Sequence, residues 1–178
     1  MALLRGVNVG GKNRVPMDEL RLLFESLGCT DVTTYVQSGN VVFSHPAPPT
    51  ALEMTEAIRR TFGLSSSVVR RDGRSLAGVV AANPFPGVDP VTLHVGFMER
   101  GPGPEAGRDL DPDLRAPERF VLCGSEVYLH LPDGMARAKL PPLLDRRLPG
   151  PVTYRNWNTV TKLLELSGGS ANPLHPGS

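Results

Sequence analysis

Apolar positions along this chain switch between a strand-like and a helical period, and the switches mark out its elements. Residues 3–9 are apolar enough for a strand that starts almost at the first residue. Met17, Leu20, Leu23, Phe24 and Leu27 then recur at the spacing of one helix face across 16–27. Pro16 suits the first helical position, which puts Val15 at the cap without a side-chain oxygen, and Gly28 suits the position after the end. Segments 32–36 and 41–44 read as a hairpin turning at Gln37-Ser38-Gly39-Asn40. Thr50 and Glu53 have the spacing of a capping box, ahead of a helix that closes at Gly63. Segment 67–71 makes a further strand, ended by Asp72-Gly73.

This order, β-α-β-β-α-β, is the ferredoxin-like or split-βαβ arrangement, and it then repeats. A connecting helix at 75–82 stops before Pro84, and 92–98 is a strand. Segments 120–123 and 126–131 form a hairpin around Gly124-Ser125. A helix follows at 135–144, with Pro141 and Pro142 obscuring its boundaries. After a short strand at 152–154, Asn156 caps a last helix whose Trp157, Val160, Leu163 and Leu164 share a face. Segment 101–117, where the second unit should hold its first helix, is rich in glycine and proline. It reads as a loop with one turn near 109–114. The predicted fold class is therefore α/β (α+β), a tandem pair of ferredoxin-like split-βαβ subdomains packed together. The first spans 1–73, the second spans 74–168 with the connecting helix, and 169–178 is a small polar tail expected to be disordered. The halves share element order and not residues.

Composition narrows the function classes. A chain of 178 residues can bury a core without disulfides or metal. Nineteen basic against eighteen acidic residues, a net charge of +1, lack the imbalance of a nucleic-acid or membrane-surface binder, though a local basic patch fits. Cys29 and Cys123 are isolated and read as core thiols, and no apolar run nears the ~20 residues of a spanning helix. A reducing, cytoplasmic setting is the expectation. His45, His94, His130 and His175 are scattered at no metal-ligand spacing, and no G-x-S-x-G elbow occurs. Covalent and metal-assisted catalysis are disfavoured, and no cofactor is called for.

Four polar stretches remain. Arg5-Gly6-Val7-Asn8-Val9-Gly10-Gly11-Lys12 runs from a strand to a helix start, where glycines let backbone N–H groups approach an anion and Arg5 and Lys12 add charge. It matches neither phosphate-loop pattern, and Asp18 and Glu19 in the following turn would repel an anion. Gln37, Ser38 and Asn40 belong to what is most simply a hairpin turn, or could surround a small polar ligand. In Arg155-Asn156-Trp157-Asn158-Thr159, the cap and the tryptophan anchor explain two residues, leaving Arg155 and Asn158 free to bind a phosphate or tie down a loop. Asp133-Gly134-Met135-Ala136-Arg137-Ala138-Lys139 reads by default as a turn, the alternative being that Arg137 and Lys139 face the same cleft as Lys12.

The segments Leu3-Leu4-Arg5-Gly6-Val7-Asn8-Val9-Gly10-Gly11-Lys12, Thr34-Tyr35-Val36-Gln37-Ser38-Gly39-Asn40-Val41-Val42-Phe43, Asn83-Pro84-Phe85-Pro86 and Arg155-Asn156-Trp157-Asn158-Thr159-Val160, in that order, resemble the signature segments of the bacterial domain-of-unknown-function 1697 family. The resemblance implies two ferredoxin-like subdomains and no particular activity. Ala138 stands where the family pattern suggests a serine before the lysine. The leading expectation is a binding site for a small anionic or phosphate-bearing ligand, nucleotides included, built from Arg5, Asn8, Gly10, Gly11, Lys12, Gln37, Ser38, Asn40, Arg155, Asn156 and Asn158. An enzyme using the same cleft by positioning and electrostatics, or a structural and protein-interaction module, are the alternatives.

Overall fold

The computed structural model describes residues 1–9, 13–103 and 115–168. In chain order the elements are β1 (Ala2–Leu4), α1 (Met17–Ser26), β2 (Thr30–Tyr35), β3 (Asn40–Ser44), α2 (Ala51–Phe62), β4 (Val68–Arg70) and α3 (Gly73–Ala81). Then come β5 (Leu93–Phe97), β6 (Arg119–Cys123), β7 (Glu126–His130), a single 3-10 turn at Met135–Arg137, α4 (Leu140–Arg147), β8 (Thr153–Asn156) and α5 (Trp157–Leu166). The strands form two antiparallel four-stranded sheets, ordered β2-β3-β1-β4 and β6-β7-β5-β8. Each sheet thus runs second, third, first, fourth in the chain order of its own strands.

Strand alternation divides the core into three parts. Leu3, Val42 and Val69 on one face of the first sheet meet Leu93, Val95, Phe97 and Tyr128 on one face of the second, in a cluster that includes Leu76 and Val79 of α3 and Val160, Leu163 and Leu164 of α5. The Tyr128 hydroxyl fixes this layer by donating to the Val79 carbonyl at 2.8 Å. The other face of the first sheet is covered by Leu20 and Phe24 of α1 and Met54 and Ile58 of α2. Leu140, Leu143 and Leu144 of α4 cover the other face of the second. Among the described residues no helix is long and apolar enough to cross a membrane.

Several local expectations shift. β1 ends at Leu4 instead of residue 9, because Gly6 and Asn8 take positive φ and turn the chain off the sheet. Pro16 is the cap of α1, extended at ψ 130°, and not its first helical residue; the cap still has no side-chain hydrogen bond. Asp72 opens α3 by exchanging hydrogen bonds with Ser75, so this helix begins two residues earlier than its apolar pattern suggests. Cys123 is exposed and not a core thiol, since β6 is an edge strand. The helix expected at 135–144 is split. Prolines at 141 and 142 offer no N–H, and the N–H groups of Lys139 and Leu140 both go to the Glu118 carboxylate at 2.8–3.0 Å. Together these satisfy the start of α4 three residues after the 3-10 turn ends. The turn expected near 109–114 and the tail at 169–178 lie outside the described residues.

Candidate functional site: a cleft beside a buried arginine

β8 is one edge strand of the second sheet, and the chain leaving β1 is hydrogen-bonded to it and to the residue before it. Leu4 donates its N–H to the Gly39 carbonyl and accepts on its own carbonyl from Thr153 Oγ1 at 3.2 Å and from Arg155 at 2.7 Å. Arg155 gathers the region. Its Nε donates to Asn40 Oδ1, one terminal nitrogen to Thr153 Oγ1 and the Tyr154 carbonyl, and the other to the carbonyls of Leu4, Ser38 and Gly39. Three stretches that are far apart in sequence therefore meet on one guanidinium.

That guanidinium is 6% exposed, and no carboxylate pairs with it among the described residues. Burial lowers its pKa to about 10, which leaves it charged at neutral pH. It is a buried cation held only by neutral oxygens. All its N–H groups are spent inside the protein, so Arg155 cannot grip a ligand directly. The same holds for other predicted residues. Asn40 donates to Tyr35 O and Ser38 Oγ, and Asn8 exchanges two hydrogen bonds with the Val15 backbone. Asn156 caps α5 through Asn158 N–H and donates to the carbonyls of Pro90 and Val91.

Beside this knot lies a cleft of about 670 Å³. Of the predicted residues, it is lined by Arg5, Ser38, Arg155 and Asn156, whereas Asn8, Gln37, Asn40 and Asn158 do not reach its wall. Gly10, Gly11 and Lys12 lie outside the described residues. Arg5 uses Nε on the Val152 carbonyl at 3.0 Å and one terminal nitrogen on Asp145 at 2.8 Å. Its remaining terminal nitrogen has no acceptor among the described residues. Sequence reasoning missed Asn13, Ser65, Ser67, His94, Asp145 and Tyr154, which also line the cleft. The Ser65-Ser66-Ser67 run was the available signal, since Ser66 Oγ donates to the Arg5 carbonyl and Arg5 N–H donates to Ser67 O. Burial pushes the His94 imidazole down, so it is neutral at pH 7. Burial first, and then Asp145, push the Tyr154 phenol up, so it stays a protonated donor. Among the described residues no cluster of His, Cys, Asp and Glu could hold a metal. Of the fourth polar stretch, only Met135 reaches the cleft.

A second hollow, of about 640 Å³, opens beside Arg70 and Asp72. There Arg70 already donates to the carbonyls of Pro48 and Pro49, and Asp72 is engaged in capping α3.

Comparison with known proteins adds family and fold. The family model described as "Protein of unknown function (DUF1697)" matches residues 1–128, which include every signature segment except the one beginning at Arg155. The conserved bacterial protein SP0830 from Streptococcus pneumoniae has a similar solved structure, with a TM-score of 0.67 at 22% identity, covering 93% of this chain and 96% of that one. A search of curated proteins gives no match. The chain belongs to the domain-of-unknown-function 1697 family.

Proposed function

We propose that this family member binds a small anionic ligand, of the phosphate-bearing kind that includes nucleotides, in the cleft beside Arg155. The observation that carries the reading is the uncompensated charge of Arg155 at the cleft wall. A buried cation without a counterion favours an anion close by, and the low dielectric around it weakens the screening. Arg5 adds direct donors, and the first turn of α5 turns toward the cleft through Asn156 and Thr159, where the helix dipole is positive. The predicted asparagines then act as supports that hold the wall in place, and Arg5, Ser38, Ser65, Ser67 and Tyr154 face the ligand.

The shared strand order of the two sheets supports reading each as a ferredoxin-like unit and the chain as a tandem pair. On that reading the ligand sits at the junction of the units.

Calorimetric titration with inorganic phosphate and with a nucleoside monophosphate tests the site. The expected result is saturable binding that weakens with added salt and falls about tenfold in Arg5→Gln, with an unchanged circular dichroism spectrum showing that the fold survives loss of the Arg5 bonds to Val152 and Asp145. Absence of saturable heat with both compounds removes the reading.

A further inference from the structure

The cleft also has an apolar side that a bare phosphate would leave uncovered. Val9 lines it and is 64% exposed, and Met135 faces it from the 3-10 turn. Of seven large apolar side chains exposed among the described residues, Val9 is the one on the cleft wall, and Val91 and Val36 adjoin cleft residues only through the chain. Val91 offers its carbonyl to the cleft residue Asn156, and Val36 lies two residues before Ser38 in the hairpin turn. Val36 is doubly unfavourable there, because a β-branched residue is held at φ +49° while its side chain stays in water. Single exposed valines need no explanation, but Val9 and Met135 on the wall of one charged cleft do.

We propose that the ligand is amphiphilic: a phosphomonoester whose apolar body rests on Val9 and Met135 while its phosphate faces Arg5. This rests on the anion-binding reading above and adds the class of group attached to the phosphate. Water released from Val9 and Met135 would then contribute affinity that the phosphate alone lacks.

Three probes separate the two claims: inorganic phosphate, ribose 5-phosphate and phenyl phosphate. Phenyl phosphate is expected to bind about tenfold more tightly than ribose 5-phosphate, with a more negative heat-capacity change. The double variant Val9→Asn, Met135→Gln should abolish that preference and leave the affinity for inorganic phosphate unchanged, with an unaltered circular dichroism spectrum and melting temperature showing that the fold survives. Equal binding of the two esters, or a preference that persists in the variant, overturns the amphiphilic ligand while phosphate binding stands. Failure of all three probes to bind overturns both.

Discussion

Replacing Arg155 with leucine keeps the bulk of the side chain but strips donors from the Leu4, Ser38, Gly39 and Tyr154 carbonyls and from Asn40 Oδ1. Acceptors left unpaired in the interior each cost about 1–3 kcal/mol. Some regain water, so a total of roughly 3–5 kcal/mol is expected. Scanning calorimetry should show a melting temperature lower by about 10 °C or more. Arg155→Lys should recover only part of this, since an ammonium has three donors and no planar fork. His94 gives the pH dependence. Its folded pKa lies below the unfolded value of about 6.5, so the unfolded chain takes up the proton first. Its contribution is complete above that value and is lost as pH falls below it. His130, pushed down by burial and Arg119, acts in the same sense. Urea midpoints at pH 7.5 and 5.5 should therefore differ more in the native protein than in His94→Gln. At this scale the sequence left Arg155 in need of a role and placed Asn40 in a hairpin turn. It could not say that they bond each other across 115 positions, because nothing local encodes that contact.

Elements with local signals were legible. The capping box at Thr50 and Glu53, the left-handed Gly63 and the Asn156 cap stand where the pattern places them. Boundaries set by distant groups were not. The start of α4 depends on Glu118, more than twenty residues earlier, and the split of the expected helix follows from that carboxylate. Gly96 is a second case, in the middle of β5 with no turn to explain it. A Cβ there would come within 2.6–2.8 Å of Val152, Val127 and Tyr154 side chains, so the glycine is what lets β8 and β7 close over β5. Gly96→Ala should cost about 1–3 kcal/mol through overpacking. Guanidinium denaturation would show this as a lower midpoint with an unchanged slope. Gly39 differs, since it combines φ +71° with a Cβ position 2.8 Å from Leu4 Cβ, so both backbone and space require glycine.

The alternation of periods along the chain revealed one β-α-β-β-α-β run and the strands of a second unit well enough to anticipate two sheets. It did not reveal that α3 and α5 lie in one apolar cluster with faces of both. That shared core, together with the 2.7 Å ion pair between Arg71, just after β4, and Glu126 of β7, links the two sheets. A fragment of residues 1–72 would leave Leu3, Val42 and Val69 uncovered and should fail to fold, giving a spectrum without cooperative melting. In the whole chain, Trp157 fluorescence and far-ultraviolet ellipticity should melt together. The Arg155 knot has one more outcome if the proposed anion site holds. With a guanidinium clamping the β1–β3 side to β8, that site would take its shape before any guest arrives. Capture would then need no closing motion, its speed would be set by diffusion and charge steering, and choice among guests would come from refusing misfits at the door.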